Sequence, residues 1–216
     1  TDSDIAAQFT VVSLDARKAN KIALTEKAKL LSDQSVPLLG VVSRMDQQKG
    51  IDLVFDALRK LGDVPWQAII LGTGDPKLEK SARLLAEDFP KRVRIEAKYD
   101  AKLARQIYAG ADIFLMPSRY EPCGLSQMIA MRYGCVPVVR AVGGLHDTVT
   151  DGETGFVFIK PKVKDFVATI HRALAKYDDK EAWRTMQKNG MSQDFSWENS
   201  ALKYFELYQR LIATRT

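Results

Sequence analysis

The chain has 216 residues, 46% of them hydrophobic, with 32 basic and 27 acidic residues and a formal net charge of +5. That length buries one sizeable core and suits a single α/β domain. The charges are scattered along the chain, which favours a small anionic ligand over nucleic acid. Apolar runs such as Ile113 to Pro117 fall far short of the ~20 residues needed to span a bilayer, so no membrane span is expected.

Two cysteines, Cys123 and Cys135, and no charged-then-apolar leader at the start fit a reducing, cytoplasmic setting. Residues 1–20 read as an interdomain linker. Leu14 to Leu31 looks helical, but the polar start at Thr1 to Asp4 resembles a cut made inside a longer protein. Short apolar runs bounded by Gly, Pro or Ser then recur at Pro37 to Ser43, Trp66 to Leu71, Val93 to Ala97, Ile113 to Met116, Pro137 to Val139 and Gly155 to Ile159, and read as buried strands.

Between the runs lie residues at helical spacing, such as Leu53, Val54, Ala57, Leu58 and Leu61, and later Leu103, Ile107 and Tyr108. Helices around Lys164 to Tyr177, Lys180 to Asn189 and Trp197 to Ile212 finish the chain, the last within a C-terminal segment 196–216 and with Tyr204, Leu207, Tyr208 and Leu211 on one face. Alternation of strand and helix predicts an α/β, Rossmann-like parallel sheet of about six strands with helices on both faces.

In such a sheet ligands bind beyond the carboxyl ends of the strands. The first strand is followed by Ser43-Arg44-Met45-Asp46-Gln47-Gln48-Lys49-Gly50 and the second by Leu71-Gly72-Thr73-Gly74-Asp75-Pro76, with Pro76 well placed at a helix start. Lys98-Tyr99-Asp100 follow the third. The fourth leads into Pro117-Ser118-Arg119-Tyr120-Glu121-Pro122-Cys123-Gly124-Leu125-Ser126, and the fifth into Gly143-Gly144-Leu145-His146-Asp147-Thr148.

Arg44 and Lys49 can neutralise a diphosphate, Gly124 permits close backbone approach at a helix N-terminus, Tyr99 can stack on a base and Glu121 can hold sugar hydroxyls. Taken singly, each has a plainer reading: solvated loop charges, a tight strand-to-helix turn at Gly72, a packing tyrosine. Neither Gly-x-Gly-x-x-Gly nor Gly-x-x-x-x-Gly-Lys-Ser/Thr occurs. His146 and His171 lack metal-ligand spacing, so no metal is expected. A helix of about 12 residues between the cysteines would hold them ~18 Å apart, too far for a disulfide. A thiol at a helix N-terminus, as predicted for Cys123, is open to reaction.

The run Ser43 to Leu53 resembles the phosphate loop of the glycogen/starch synthases, as do Leu71 to Pro76, Pro117 to Gln127, Ala130 to Gly134, Pro137 to Arg140, Gly143 to Val149 and Thr154 to Phe156. The similarity runs from about Asn20 to the Phe195-Ser196-Trp197 helix, in the family's order. It implies the C-terminal domain of a two-domain GT-B glycosyltransferase that transfers glucose from ADP-glucose or UDP-glucose to an α-1,4-glucan with retention, without metal or other cofactor.

By that resemblance Arg44 and Lys49 would bind the phosphates, Tyr99 would lie on the base and Glu121 would contact the transferred glucose. Gly72 and Cys123 would border the donor, and the amides of Gly124, Leu125 and Ser126 would cap the distal phosphate. Two departures stand out. Many relatives of the fold carry a second glutamate eight residues after the first, where this chain has Ile129. The family's acceptor domain, with its Lys-x-Gly-Gly motif, is absent from the sequence. The rival reading is a nucleotide-sugar-binding module without turnover.

Overall fold

Six strands, β1 (Leu38–Val42), β2 (Gln67–Leu71), β3 (Val93–Glu96), β4 (Ile113–Met116), β5 (Val136–Arg140) and β6 (Phe156–Phe158), form one sheet in the computed structural model, which describes residues 2–213. Every pairing is parallel, and the order is β3-β2-β1-β4-β5-β6. β1 is central, pairing Leu39 with Ala68 of β2 on one side and with Ile113 of β4 on the other. The chain runs outward from β1 to β3, then crosses back to β4. The gap between the carboxyl ends of β1 and β4 is therefore the topological switch point, where a doubly wound sheet binds its ligand.

Because side chains alternate across a strand, each strand feeds two cores. Leu39, Val41, Ala68, Ile70, Ile113 and Leu115 join one, packed with α2 (Ile51–Arg59), α3 (Pro76–Asp88) and α7 (Val163–Asp178). Leu38, Ile69, Leu71, Phe114 and Met116 join the other, with α1 (Arg17–Lys27), α4 (Ala101–Gly110), α5 (Ser126–Arg132) and α6 (Gly144–Thr148). α8 (Lys180–Met191) adds Trp183 and Met186 to the first core. Each such large apolar side chain contributes about 2 kcal/mol by leaving water. Helices thus cover both faces, as the strand–helix alternation predicts.

The differences from the predicted elements have local causes. Leu14 to Leu31 is not one helix: a 3-10 turn at Leu14–Ala16 precedes α1, which stops at Lys27. Lys29 takes the left-handed conformation (φ 55°), with Lys29 N–H on Glu26 O and Leu30 N–H on Thr25 O. This is a Schellman stop with lysine where glycine is usual, so composition does not announce it. The helix between the cysteines has seven residues rather than about 12, because the loop after β4 continues to Leu125. α9 (Trp197–Ala213) forms as predicted but has no buried residue; Tyr204, Leu207, Tyr208 and Leu211 all lie open. The two predicted chain ends, residue 1 and residues 214–216, lie outside the described residues.

Candidate functional site

The loops after β1 and β4 meet at the switch point and are tied together. Arg119 forms a two-pronged pair with Asp52 at the start of α2, at 2.7 and 2.6 Å, and donates to Gln47 O at 2.8 Å. Its own N–H reaches Gln48 O at 2.7 Å. Arg140, at the end of β5, donates to the carbonyls of Ser118 and Arg119. Two planar guanidinium forks thereby fix the loop that carries Glu121, a geometry that lysine would not supply. Burial pushes the Asp52 carboxyl up, but hydrogen bonding and the charge of Arg119 outweigh it and hold Asp52 below the usual carboxylate range.

Within this frame Lys49 Nζ lies 2.5 Å from Glu121 Oε2, and Ser118 Oγ reaches the same carboxylate oxygen at 3.2 Å. Glu121 is only 6% exposed. Arg44 is more open and pairs with Asp46 at 2.9 Å. Arg44 and Lys49 both line a cavity of about 150 Å³ between the ends of β1 and β4, which also includes Ser126.

A second cavity of about 600 Å³ shares Val42, Ser43 and Arg44 with the first and extends over the ends of β2 and β3. Gly72, Tyr99, Tyr108, Ile129 and Tyr133 line it. Tyr99 is 87% exposed and presents its ring at the cavity wall without being committed to a core. The Gly72 turn is more than a tight connection: a Cβ there would fall 1.8 Å from Ser43 O, so only glycine lets β2 turn against the β1 loop.

Helix ends distinguish the two cavities. α3 and α4 are capped by their own carboxylates: Asp75 accepts from Lys77 N–H and Leu78 N–H, and Asp100 accepts from Leu103 N–H. α2, α5 and α6 have no side-chain cap. α5 starts behind Leu125, a poor capping residue, so its first N–H groups remain available to an outside acceptor. The left-handed Gly124 (φ 76°) turns the chain into this end, and the buried Gln127 holds the turn through Nε2 to Cys123 O, Gly124 O and Thr148 Oγ1.

Not every predicted residue meets the same space. Arg44, Lys49 and Ser126 line the smaller cavity, and Gly72, Tyr99 and again Arg44 the larger. Glu121, Cys123, Gly124 and Leu125 line neither, although Glu121 touches Lys49 directly and Gly124 and Leu125 lead into α5. Cys123 is exposed, whereas Cys135 is buried and burial pushes its thiol up to about 12. Sequence reasoning gave no roles to Arg119, Arg140, Asp52, Tyr108 or Tyr133. Among the described residues no group of three His, Cys, Asp or Glu could hold a metal, and no helix is long and apolar enough to cross a membrane.

A parallel sheet of order 3-2-1-4-5-6 with cationic loops at its switch point and an aromatic-lined cavity beside it has the doubly wound form found in glycosyltransferases. Residues 23–190 match the model of the glycosyl transferases group 1, and the chain belongs to that family. It is 45% identical over 98% of its length to the glycogen synthase of Anoxybacillus flavithermus, covering 45% of that protein. It is 45% identical over its whole length to the glycogen synthase of Geotalea daltonii, covering 46%. Among solved structures it resembles the catalytic domain of starch synthase IV from Arabidopsis thaliana, bound to ADP and acarbose. The TM-score is 0.90 at 36% identity, covering 99% of this chain and 46% of that one. The chain spans about half the length of the curated relatives it matches.

Proposed function

We propose that this chain is the donor half of a glycogen or starch synthase, which transfers glucose from ADP-glucose or UDP-glucose to the non-reducing end of an α-1,4-glucan with retention of configuration. The observation that carries the reading is the pair of neighbouring cavities that share Val42, Ser43 and Arg44. One is large and aromatic, of the size that takes a nucleoside. The other is small and cationic, and adjoins the uncapped end of α5.

In this reading the base lies against Tyr99, and the diphosphate is held by Arg44, Lys49 and the Gly124, Leu125 and Ser126 amides. Glu121 faces the transferred glucose and shares Lys49 with the phosphates. A double displacement would need two carboxylates about 5 Å apart. Glu121 is the single strong candidate for a carboxylate at the sugar among the strand-end loops, so a second one at that spacing is not on offer. The reading is therefore a one-face transfer. The bond from the anomeric carbon to the diphosphate breaks, the bond to the glucan hydroxyl forms, and the hydroxyl proton passes to the departing diphosphate oxygen.

The protein's contribution is electrostatic. Arg44, Lys49 and the helix end meet the charge growing on the leaving group, each worth about 3 kcal/mol in a closed, dry cleft. No metal or other cofactor enters the scheme, and the setting is cytoplasmic. The glucan is held by an acceptor domain beyond this chain, so by itself the chain binds ADP weakly and turns over little. The test is incorporation of labelled glucose into glycogen by this chain and by the two-domain protein. Elongation by the two-domain protein alone supports the reading, and robust elongation by this chain contradicts it.

A further inference from the structure

At the opposite end of the sheet, Asp112 stands just before β4. Its carboxylate accepts from Leu38 N–H at 2.8 Å, pairs with Lys21 at 2.7 Å and lies 3.7 Å from Arg17. All three side chains are buried. Arg17 also donates to the carbonyls of Tyr108, Ala111 and Tyr133, and Lys21 to those of Gln34 and Val36, so their hydrogen bonds are met. Two buried cations against one buried carboxylate still leave a net positive charge answered only by dipoles.

The trio lines a cavity of about 300 Å³ where five cations face two carboxylates, Asp112 and Asp15. Asp15 is already paired with Arg184 at 2.8 Å. Lys180 stands at the rim, its ammonium 3.5 Å from the centre of the Tyr177 ring and 2.9 Å from Tyr177 O. Two further donors on the wall lack acceptors: the indole Nε1–H of Trp183, a side chain 4% exposed, and the buried amide nitrogen Nε2 of Gln34. Buried donors are nearly always satisfied. Here the surplus charge and the unanswered donors call for the same partner.

We propose that this cavity is a second anion site, remote from the donor cleft, that takes the phosphoryl group of free phosphate or of a small phosphate ester. A tetrahedral oxyanion supplies both what the trio lacks in charge and what Trp183 and Gln34 lack in acceptors. The site lies beyond the amino ends of β1 and β4, so its occupant cannot be the nucleotide held at their carboxyl ends.

The test is a titration of the chain with inorganic phosphate at ionic strength fixed by chloride, followed through the tryptophan indole N–H resonances in 15N-labelled protein. A second arm uses glycerol phosphate. The expected result is a saturable shift of the Trp183 indole with a Kd on the order of 1 mM, while Trp197 on α9 stays still. Tighter binding in the glycerol phosphate arm would mark an ester as the ligand, and equal binding free phosphate. Arg44→Ala should leave the Trp183 response intact, because it acts only at the donor cleft. Lys180→Met should weaken it about tenfold. Gln34→Glu places a carboxylate on the cavity wall and should remove the phosphate response while raising the melting temperature without phosphate. No movement of the Trp183 indole, or a movement proportional to salt and the same in Gln34→Glu, overturns the proposal.

Discussion

Lys49 Nζ and Glu121 Oε2 are 2.5 Å apart although 72 residues separate them in the chain. The contact joins the loop after β1 to the loop after β4 across the switch point. It makes the two loops one electrostatic unit in which a cation and a nearly buried carboxylate are set against each other.

Breaking that pair from one side should cost more than removing it. Lys49→Ala leaves a nearly buried carboxylate unpaired and should destabilise the fold by about 3 kcal/mol. The double variant Lys49→Met with Glu121→Gln should recover much of this. Urea unfolding of the single and double variants reads the coupling, and purely additive effects would show that the pair is not formed.

The Arg119–Asp52 fork is partly exposed, so its contribution should be smaller. Asp52→Asn should lower stability by about 1 kcal/mol at neutral pH. The folded pKa of Asp52 lies below its unfolded value, so the stabilisation is fully present above the unfolded pKa of about 3.9 and is lost as pH falls through the folded one. The deficit of Asp52→Asn should therefore shrink toward zero in acid melts. A deficit independent of pH would assign the effect to packing.

The two cysteines should separate cleanly on alkylation. Cys135 is buried, and burial pushes its thiol up to about 12, so it is neither accessible nor ionised enough to react at pH 8. Cys123 is exposed beside Gly124 and should take all the label, more slowly when ADP is present. Mass spectrometry of the labelled peptides decides both points; equal labelling of Cys123 with and without ADP would place the nucleotide elsewhere.

Tyr99 makes little contribution to the core, so Tyr99→Ala should leave the melting temperature nearly unchanged while weakening ADP about tenfold through lost stacking. Ile129 sits on the wall of the same cavity. A calorimetric comparison of ADP-glucose with UDP-glucose on the two-domain protein, with and without Tyr99→Ala, measures how far this wall selects the base.

The sheet was legible because β1 and β4 are unbroken apolar runs and β2 is apolar after Gln67, and because glycine or charge follows each strand. Which loops meet was not. Arg119 with Asp52, Lys49 with Glu121 and Lys21 with Asp112 all pair across more than 60 residues, through a strand order that local pattern does not encode. Tyr108 reads as helix packing from its spacing and Tyr133 only as part of the Ala130 to Gly134 run, and only the fold brings both to one cavity with Tyr99. Lys29 escaped notice because lysine in the left-handed region carries none of glycine's signal.

The proposed donor function requires that the β1/β4 switch point bind a nucleoside diphosphate through Arg44 and Lys49. Isothermal titration of ADP into this chain tests it most directly, with Arg44→Ala and Glu121→Gln alongside. One weak, saturable site is expected, which Arg44→Ala weakens at least about tenfold and Glu121→Gln largely preserves. Absence of binding to the folded chain, or binding that Arg44→Ala leaves untouched, would contradict it.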